Sequence, residues 1–171
     1  MDQDAFRDTY NAVNERRCPY EKSILTGNCA CRRSKRFCIA EREGVHCTAD
    51  DAQARCLEFL EQLRTQARFA LRTMDGHAAL PHAKAMRIQV GGLRGVRAAL
   101  AEDQPDAGQA APVDDVDGLL GAAVDRFGGL DALPYGRIIQ QIAAYKGRRS
   151  FRERRRERRR GADGDDDDAP A

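Results

Sequence analysis

The segment CPYEKSILTGNCACRRSKRFCIAEREGVHC, residues 18–47, holds five of the six cysteines in the chain, and Cys56 follows nine residues later. The spacing of the six is C-x10-C-x-C-x6-C-x8-C-x8-C. The proline, glycine and asparagine residues around the first cysteines are typical of turns and irregular backbone. We therefore expect an irregular Cys-rich segment, residues 18–56, beside the regular structure of the remaining chain.

Apolar residues at helical spacing predict helices on both sides of and within this segment. Short helices are expected over residues 4–17 and 34–43. Thr48 and Asp51 form a candidate capping box for an amphipathic helix of roughly 25 residues that ends at Gly76. Further helices are predicted over 80–102 (in two pieces), over 115–127 and from Pro134 onward. The pattern predicts an all-α fold, a small helical bundle with an irregular Cys-rich N-terminal segment.

The length of 171 residues suits one domain, and the charge distribution places its boundary near the end of the chain. We expect a single helical domain over residues 1–147 and a charged, partly disordered tail over residues 148–171. Ten basic and two acidic residues lie between 146 and 160, and five aspartates follow Gly161. The net charge of +2 therefore conceals a basic block followed by an acidic one.

The N-terminal sequence MDQDAFRDTYNAVNERR has neither the apolar run of a secretory signal nor the basic character of a transit peptide. No stretch of apolar residues is long enough to span a membrane. We therefore expect a cytoplasmic protein. In that compartment clustered cysteines are more often metal ligands or redox thiols than structural disulfides.

Three features of the cysteine segment favour a thiolate-bound metal. Cys29 and Cys31 flank a single residue in a turn, so their sulfur atoms can converge. Cys47 directly precedes the expected start of a long helix, whose N-terminal partial charge favours thiolate. Four basic residues between Cys31 and Cys38 would offset the negative charge of a metal–tetrathiolate centre, namely Arg32, Arg33, Lys35 and Arg36.

The preferred ligand set for this centre contains four cysteines, with one alternate. These ligands are Cys29, Cys31, Cys38 and Cys47, with Cys18 as the alternate and His46 as a substitute for one of them. Cys56 falls on the apolar face of the long helix, where a buried thiol acts as a small hydrophobic residue. The cofactor is either an Fe–S cluster or Zn²⁺, and the spacing favours Fe–S because it matches no common zinc module. Disulfide pairing and unpaired buried thiols stay open as alternatives.

The Arg-rich tail is a candidate docking element, and a purely solubilising tail stays open as the alternative. Its candidate contact residues are Arg148, Arg149, Arg152, Arg154, Arg155 and Arg156. A basic block of this kind binds an acidic protein surface or the phosphates of nucleic acid. Phe151 is the only aromatic residue within it, so base stacking is not expected to contribute much.

No pairing of a nucleophile with a base is visible, so catalytic activity of the chain itself is not expected. The sequence GGLRG (91–95) lacks the patterns of phosphate-binding loops, and its glycines are expected to serve packing or a hinge. Two functions remain. The first is a small cysteine-cluster protein that binds an Fe–S cluster or Zn²⁺ as an accessory or docking component of a larger redox or electron-transfer complex. The second is a nucleic-acid-associated regulator with a structural or redox-sensing cysteine site.

Overall fold

The computed structural model describes residues 3–71, 80–101 and 111–147. The elements in chain order are α1 (Gln3–Val13), α2 (Glu21–Leu25), β1 (Ser34–Ile39), β2 (Arg42–Cys47), α3 (Asp50–Gln66), α4 (Arg68–Leu71), α5 (His82–Met86), a π-helical turn (Arg87–Gly91), α6 (Gly92–Leu100), α7 (Val116–Phe127) and α8 (Tyr135–Ala144). The predicted helix end at Gly76 and the tail 148–171 lie outside the described residues. Within the described ranges, no helix has the length and apolar character needed to cross a membrane.

The all-α prediction is wrong, because β1 and β2 form an antiparallel hairpin within the Cys-rich segment. The helix predicted over 34–43 is replaced by β1 and the start of β2. Ser34 pairs with Cys47 at the open end, and Ile39 pairs with Arg42 beside a two-residue turn. In that turn Ala40 adopts a φ of 53°, a left-handed conformation that glycine or asparagine usually supplies. The sequence therefore lacks the turn residues that would have indicated a hairpin.

The two helices nearest the C-terminal end of the described chain confirm the predicted bounds of the first, 115–127, and the predicted start of the second near Pro134. The side chain of Asp115 caps α7 by accepting a hydrogen bond from the backbone N–H of Gly118 at 3.2 Å. Gly128 ends the same helix with a φ of 90°, which suits a residue without Cβ. Helix α8 follows Pro134 and ends before Tyr145, whose backbone is extended.

Helix α3 occurs where an amphipathic helix was predicted, but its start differs, and it ends at Gln66 instead of continuing unbroken towards Gly76. The capping box is wrong, because Ala49 occupies the N-cap position and no side chain caps the helix. Thr48 instead donates a hydrogen bond from its hydroxyl to the carbonyl of Arg33 at 3.1 Å. This contact holds the residues before α3 against the segment that precedes β1.

A single hydrophobic core joins the helices to the hairpin. Its most deeply buried side chains include Tyr20, Val45, Phe59, Leu63, Leu93, Val96, Leu120, Ile138 and Ile142. The packing of α6 against α8 depends on glycine. A Cβ atom on Gly95 would lie 2.7 Å from the Cα of Ile138, and one on Gly91 would lie 2.7 Å from the Cα of Ile142. The predicted packing role of these glycines is confirmed.

We expect Gly95→Ala to lower the free energy of unfolding by roughly 1–3 kcal/mol, because the added methyl group meets backbone that must move. Gly121→Ala is the matched control, since a Cβ there has no neighbour within 4 Å. That control should raise the stability by up to about 1 kcal/mol through helix propensity. Urea denaturation measures both, and equal effects of the two variants would contradict the close packing of α6 on α8.

Candidate metal centre

Four thiols from four separate chain segments line one small, nearly closed cavity. They belong to Cys18, Cys31, Cys47 and Cys56. The cavity has a volume of about 10 Å³. Three of the four residues are buried, and Cys31 is partly exposed. The fold thus brings together cysteines that lie up to 38 residues apart in the sequence.

Backbone hydrogen bonds set the positions of Cys18 and Cys47. Residues 16–18 run beside β2, and the N–H of Cys18 donates to the carbonyl of Val45 at 3.0 Å. In the other direction, the N–H of Cys47 donates to the carbonyl of Arg16 at 2.8 Å. The segment therefore acts as a short third partner of the hairpin and holds the two cysteines next to each other.

A second set of backbone contacts places Cys31 against the start of α7. The N–H of Ala30 donates to the carbonyl of Val113 at 2.8 Å, and the N–H of Val116 donates to the carbonyl of Ala30 at 2.9 Å. Cys56 comes from the second turn of α3, on the face that packs into the core. Cys47 and Cys56 thus lie in regular elements, and backbone hydrogen bonds to neighbouring segments hold the positions of Cys18 and Cys31.

The structure brings together some of the predicted ligands and separates others. Cys18, Cys31 and Cys47 meet at the cavity, and Cys29 is buried close enough for its pKa to respond to Cys18 and Cys31. Cys38 is exposed and pairs with Glu43 on the hairpin. Cys38 lies four residues along β1 from Ser34, the residue that pairs with Cys47. At the usual rise of a strand, Cys38 is therefore about 13 Å from Ser34.

Burial favours the protonated thiol at four of the cysteines, namely Cys18, Cys29, Cys31 and Cys56. It raises the pKa of Cys18 and that of Cys29 to about 12, with smaller contributions from neighbouring thiols. Burial likewise raises the pKa of Cys31 and of Cys56. A thiol with a raised pKa is a poor nucleophile at neutral pH, so we expect little reactivity from these groups in the protein without a ligand.

Several backbone N–H groups oppose this effect, because they point at sulfur. The N–H of Tyr20 donates to Cys18, and the N–H groups of Arg33 and Asp117 donate to Cys31. Asp117 lies in the first turn of α7, where backbone N–H groups carry the partial positive charge of the helix. Such donors favour the thiolate form, which is the form that binds metal.

Tyr20 is a site residue that the sequence did not reveal. Its side chain lines the cavity and is 1% exposed. Within the described part of the chain, its hydroxyl has no hydrogen-bond partner. Burial raises the pKa of Tyr20, and the nearby Cys56, Cys29 and Cys18 raise it further. A buried hydroxyl without a partner costs free energy, so it indicates a group that is available to a bound ligand.

Ion pairs surround one edge of the cavity. The carboxylate of Asp117 contacts the guanidinium groups of Arg33, at 3.3 Å, and of Arg55. Arg32 pairs with Asp115 and lies 3.7 Å from Asp117. Burial opposes ionisation of Asp115, but hydrogen bonds from the backbone and side chain of Arg32 hold the pKa of that carboxyl below its usual range. The predicted role of Arg32 and Arg33 in balancing a thiolate charge stays a prediction.

All six cysteines are free thiols in the structure. As the side chains stand, no group of three or more Cys, His, Asp or Glu residues within the described ranges is arranged to hold a metal ion. The ring of His46 stacks on Phe37, with 5.9 Å between ring centroids. The six arginines predicted for docking, from Arg148 to Arg156, lie outside the described residues.

A scan against protein-family models and searches of curated proteins and of solved structures found no match to this chain. The functional argument therefore depends on the geometry of the thiol cavity.

We expect Asp117→Asn to lower the free energy of unfolding by roughly 2–4 kcal/mol, because it removes the charge that pairs with two guanidinium groups in a largely buried position. Asp50→Asn is the control, since Asp50 pairs with Arg16 while its side chain is 85% exposed. That change should cost less than about 1 kcal/mol. Denaturation in urea at neutral pH compares them, and a loss from Asp117→Asn no larger than the control would contradict a central role for this carboxylate.

Proposed function

We propose that this chain is a small metal–thiolate protein in which Cys18, Cys31, Cys47 and Cys56 bind one metal centre. The single observation that carries the proposal is that these four thiols, from four chain segments, line one small, nearly closed cavity. Four thiolates are the number that closes a structural zinc site or an iron–sulfur site.

The proposed ligand set differs from the sequence prediction at two positions. Cys18 and Cys56 take the places of Cys29 and Cys38, because the cavity includes the first two and the hairpin carries Cys38 away from it. Binding requires the thiols to turn inward about their side-chain torsions, since their present positions do not form a metal site. It also requires loss of the thiol protons, which the N–H donors at Cys18 and Cys31 would favour.

The volume of the cavity favours a single ion over a cluster. About 10 Å³ is close to the smallest space that holds one water molecule. Zn²⁺ or a single iron ion suits such a space after the thiols rotate, whereas an iron–sulfur cluster would need the surrounding core to expand. The sequence prediction favoured the cluster, so the identity of the centre is the first quantity to measure.

At the level of the cell, we propose a cytoplasmic accessory or docking component of a larger redox or electron-transfer complex. The small size of the domain, the absence of a readable nucleophile–base pair in the sequence and the Arg-rich tail support this role. The tail would supply the docking contact and the thiol cavity the metal centre.

Metal, labile sulfide and free-thiol content of protein purified without oxygen test the proposal directly. About one zinc or iron ion per chain, without sulfide, supports a site in which four thiolates bind a single ion. Iron with an equal amount of sulfide supports a cluster. Six reactive thiols after denaturation, with no metal before or after reconstitution, would contradict the proposal, and so would disulfides among these cysteines.

Serine variants of the cysteines assign the ligands. We expect Cys18→Ser, Cys31→Ser, Cys47→Ser and Cys56→Ser each to lower the affinity for Zn²⁺ or Co²⁺ by at least about 100-fold, more than the loss of an outer hydrogen-bond partner costs. Cys38→Ser should retain full affinity because Cys38 is exposed on the hairpin. Cys29→Ser should also bind, since Cys29 does not line the cavity. Loss of binding in the Cys38 and Cys29 variants, with retention in the Cys18 and Cys56 variants, would restore the sequence-predicted set.

We expect Tyr20→Phe to weaken Co²⁺ binding by about 10–100-fold and to shift the thiolate-to-cobalt absorption, because its hydroxyl would donate to a bound thiolate. Without metal, the same variant should be no less stable than the parent, since the change removes an unpaired buried hydroxyl. Tyr135→Phe is the matched control. The Tyr135 hydroxyl donates to the carbonyl of Leu130 at 2.7 Å, so this variant should lose about 1 kcal/mol of stability and keep its metal affinity. Identical behaviour of the two variants would contradict the assigned role of Tyr20.

A further inference from the structure

Cys47 lies between the thiol cavity and the protein surface. It lines the inner thiol cavity and also a recess on the surface, with a volume of about 180 Å³. The recess is formed by Ala12, Val13, Glu15, Arg16, His46 and Cys47. Cys47 itself is only 6% exposed, so it separates the recess from the cavity.

We propose that metal enters and leaves the cavity through this recess, with Cys47 as the first and last thiolate to hold it, and that the carrier is a small thiol bearing a carboxylate. This inference depends on the proposed function. A tetrathiolate site of this kind needs an entry path. Cys31 is itself partly exposed, and the recess adds space for a carrier molecule beside a second ligand, Cys47. Its volume lies below the 300–1,000 Å³ of pockets for larger ligands, so it suits a molecule of amino-acid size.

The exchange step is balanced without any other reactant. The carrier thiolate leaves the metal as the Cys47 thiolate binds, and the proton of the Cys47 thiol passes to the departing carrier thiolate. The metal then moves inward as the remaining three thiols bind and release their protons to water. No oxidation or reduction takes place.

The recess contains the carboxylate of Glu15 as well as the guanidinium group of Arg16, and Arg16 is the group that can bind a carboxylate on the carrier. One guanidinium nitrogen of Arg16 lies 3.2 Å from a carboxylate oxygen of Asp50 and 3.4 Å from the carbonyl of Thr48. The Asp50 side chain is 85% exposed and the Arg16 side chain 45%, so their pair contributes little and can exchange for an incoming carboxylate. Arginine binds carboxylates with paired hydrogen bonds, which would orient the carrier thiol towards Cys47.

The first experiment needs no metal, so it separates this inference from the proposed function. A brief iodoacetamide pulse on the metal-free, reduced protein is followed by peptide mass mapping, with exposed Cys38 as the internal standard. We expect Cys47 to react at least about tenfold faster than Cys18 and Cys56, because it is the one of these three buried cysteines that lines the recess. Faster labelling of Cys18 or Cys56 than of Cys47 would overturn the assigned path, whether or not the protein binds metal.

The second experiment blocks the recess. We expect Ala12→Trp or Val13→Trp to slow both Cys47 labelling and Zn²⁺ uptake by at least about tenfold, with the final metal content and the Cys38 rate unchanged, because a large side chain covers the opening. Thr9→Trp, on the same helix but not on the recess, is the control and should behave like the parent. Unchanged uptake in both recess variants would overturn the proposal.

The third experiment identifies the carrier. Zn²⁺ is supplied as its complex with 3-mercaptopropionate or with cysteamine, two thiols of similar size and opposite charge. We expect Zn²⁺ uptake to be roughly three- to tenfold faster from 3-mercaptopropionate than from cysteamine, because a single exposed charge contact contributes little free energy. The Arg16→Gln variant should take up Zn²⁺ from both carriers at the same rate. Equal rates from both carriers in the parent protein would overturn the carboxylate assignment.

Discussion

The buried carboxylate of Asp117 joins three parts of the chain. Its oxygens contact Arg33 before the hairpin and Arg55 on α3, while its backbone N–H donates to the sulfur of Cys31. Since Asp117 lies in the first turn of α7, these contacts fix the end of a core helix against the Cys-rich segment. The thiol cavity lies at the junction of these elements, and its shape depends on these ion pairs.

The cavity also explains how an N-terminal third with few large apolar residues holds its structure. The hairpin contributes Val45 to the core, but most of its side chains face outward or lie at the surface. Backbone pairing with residues 16–18 and the anchoring of residues 28–30 at Val113 supply order that apolar burial does not. Small domains with a limited core commonly gain stability from a metal or from disulfides. A metal at the junction would connect the entrance of α2, the segment before β1, the end of β2, and α3.

The helical part of the fold could be predicted from the sequence, because its signals are local. The Asp115 cap, the Gly128 stop and the apolar stripe of α8 lie within a few residues of the backbone they control. The hairpin could not be predicted, because Ala40 takes a left-handed conformation without a residue type that signals it. That one error moved Cys38 into the candidate site, since a helix over 34–43 would have kept it close to Cys31. The inclusion of Cys56 and Tyr20 depends on tertiary contacts between α3, α2 and the hairpin, for which the sequence has no local signal.

Charge balance at the cavity connects the ion pairs to the proposed metal. Three guanidinium groups, from Arg32, Arg33 and Arg55, face two carboxylates, from Asp115 and Asp117, which leaves a surplus of one positive charge. Four protonated thiols add nothing to this sum, whereas a divalent metal with four thiolates adds two negative charges. The surplus of one positive charge around the cavity therefore becomes a surplus of one negative charge. A buried charge of this kind is stable only with hydrogen bonds to it, and the N–H groups at Cys18 and Cys31 supply three. The unpaired hydroxyl of Tyr20 would be a fourth, because it is the remaining buried donor on the cavity wall with no acceptor among the described residues.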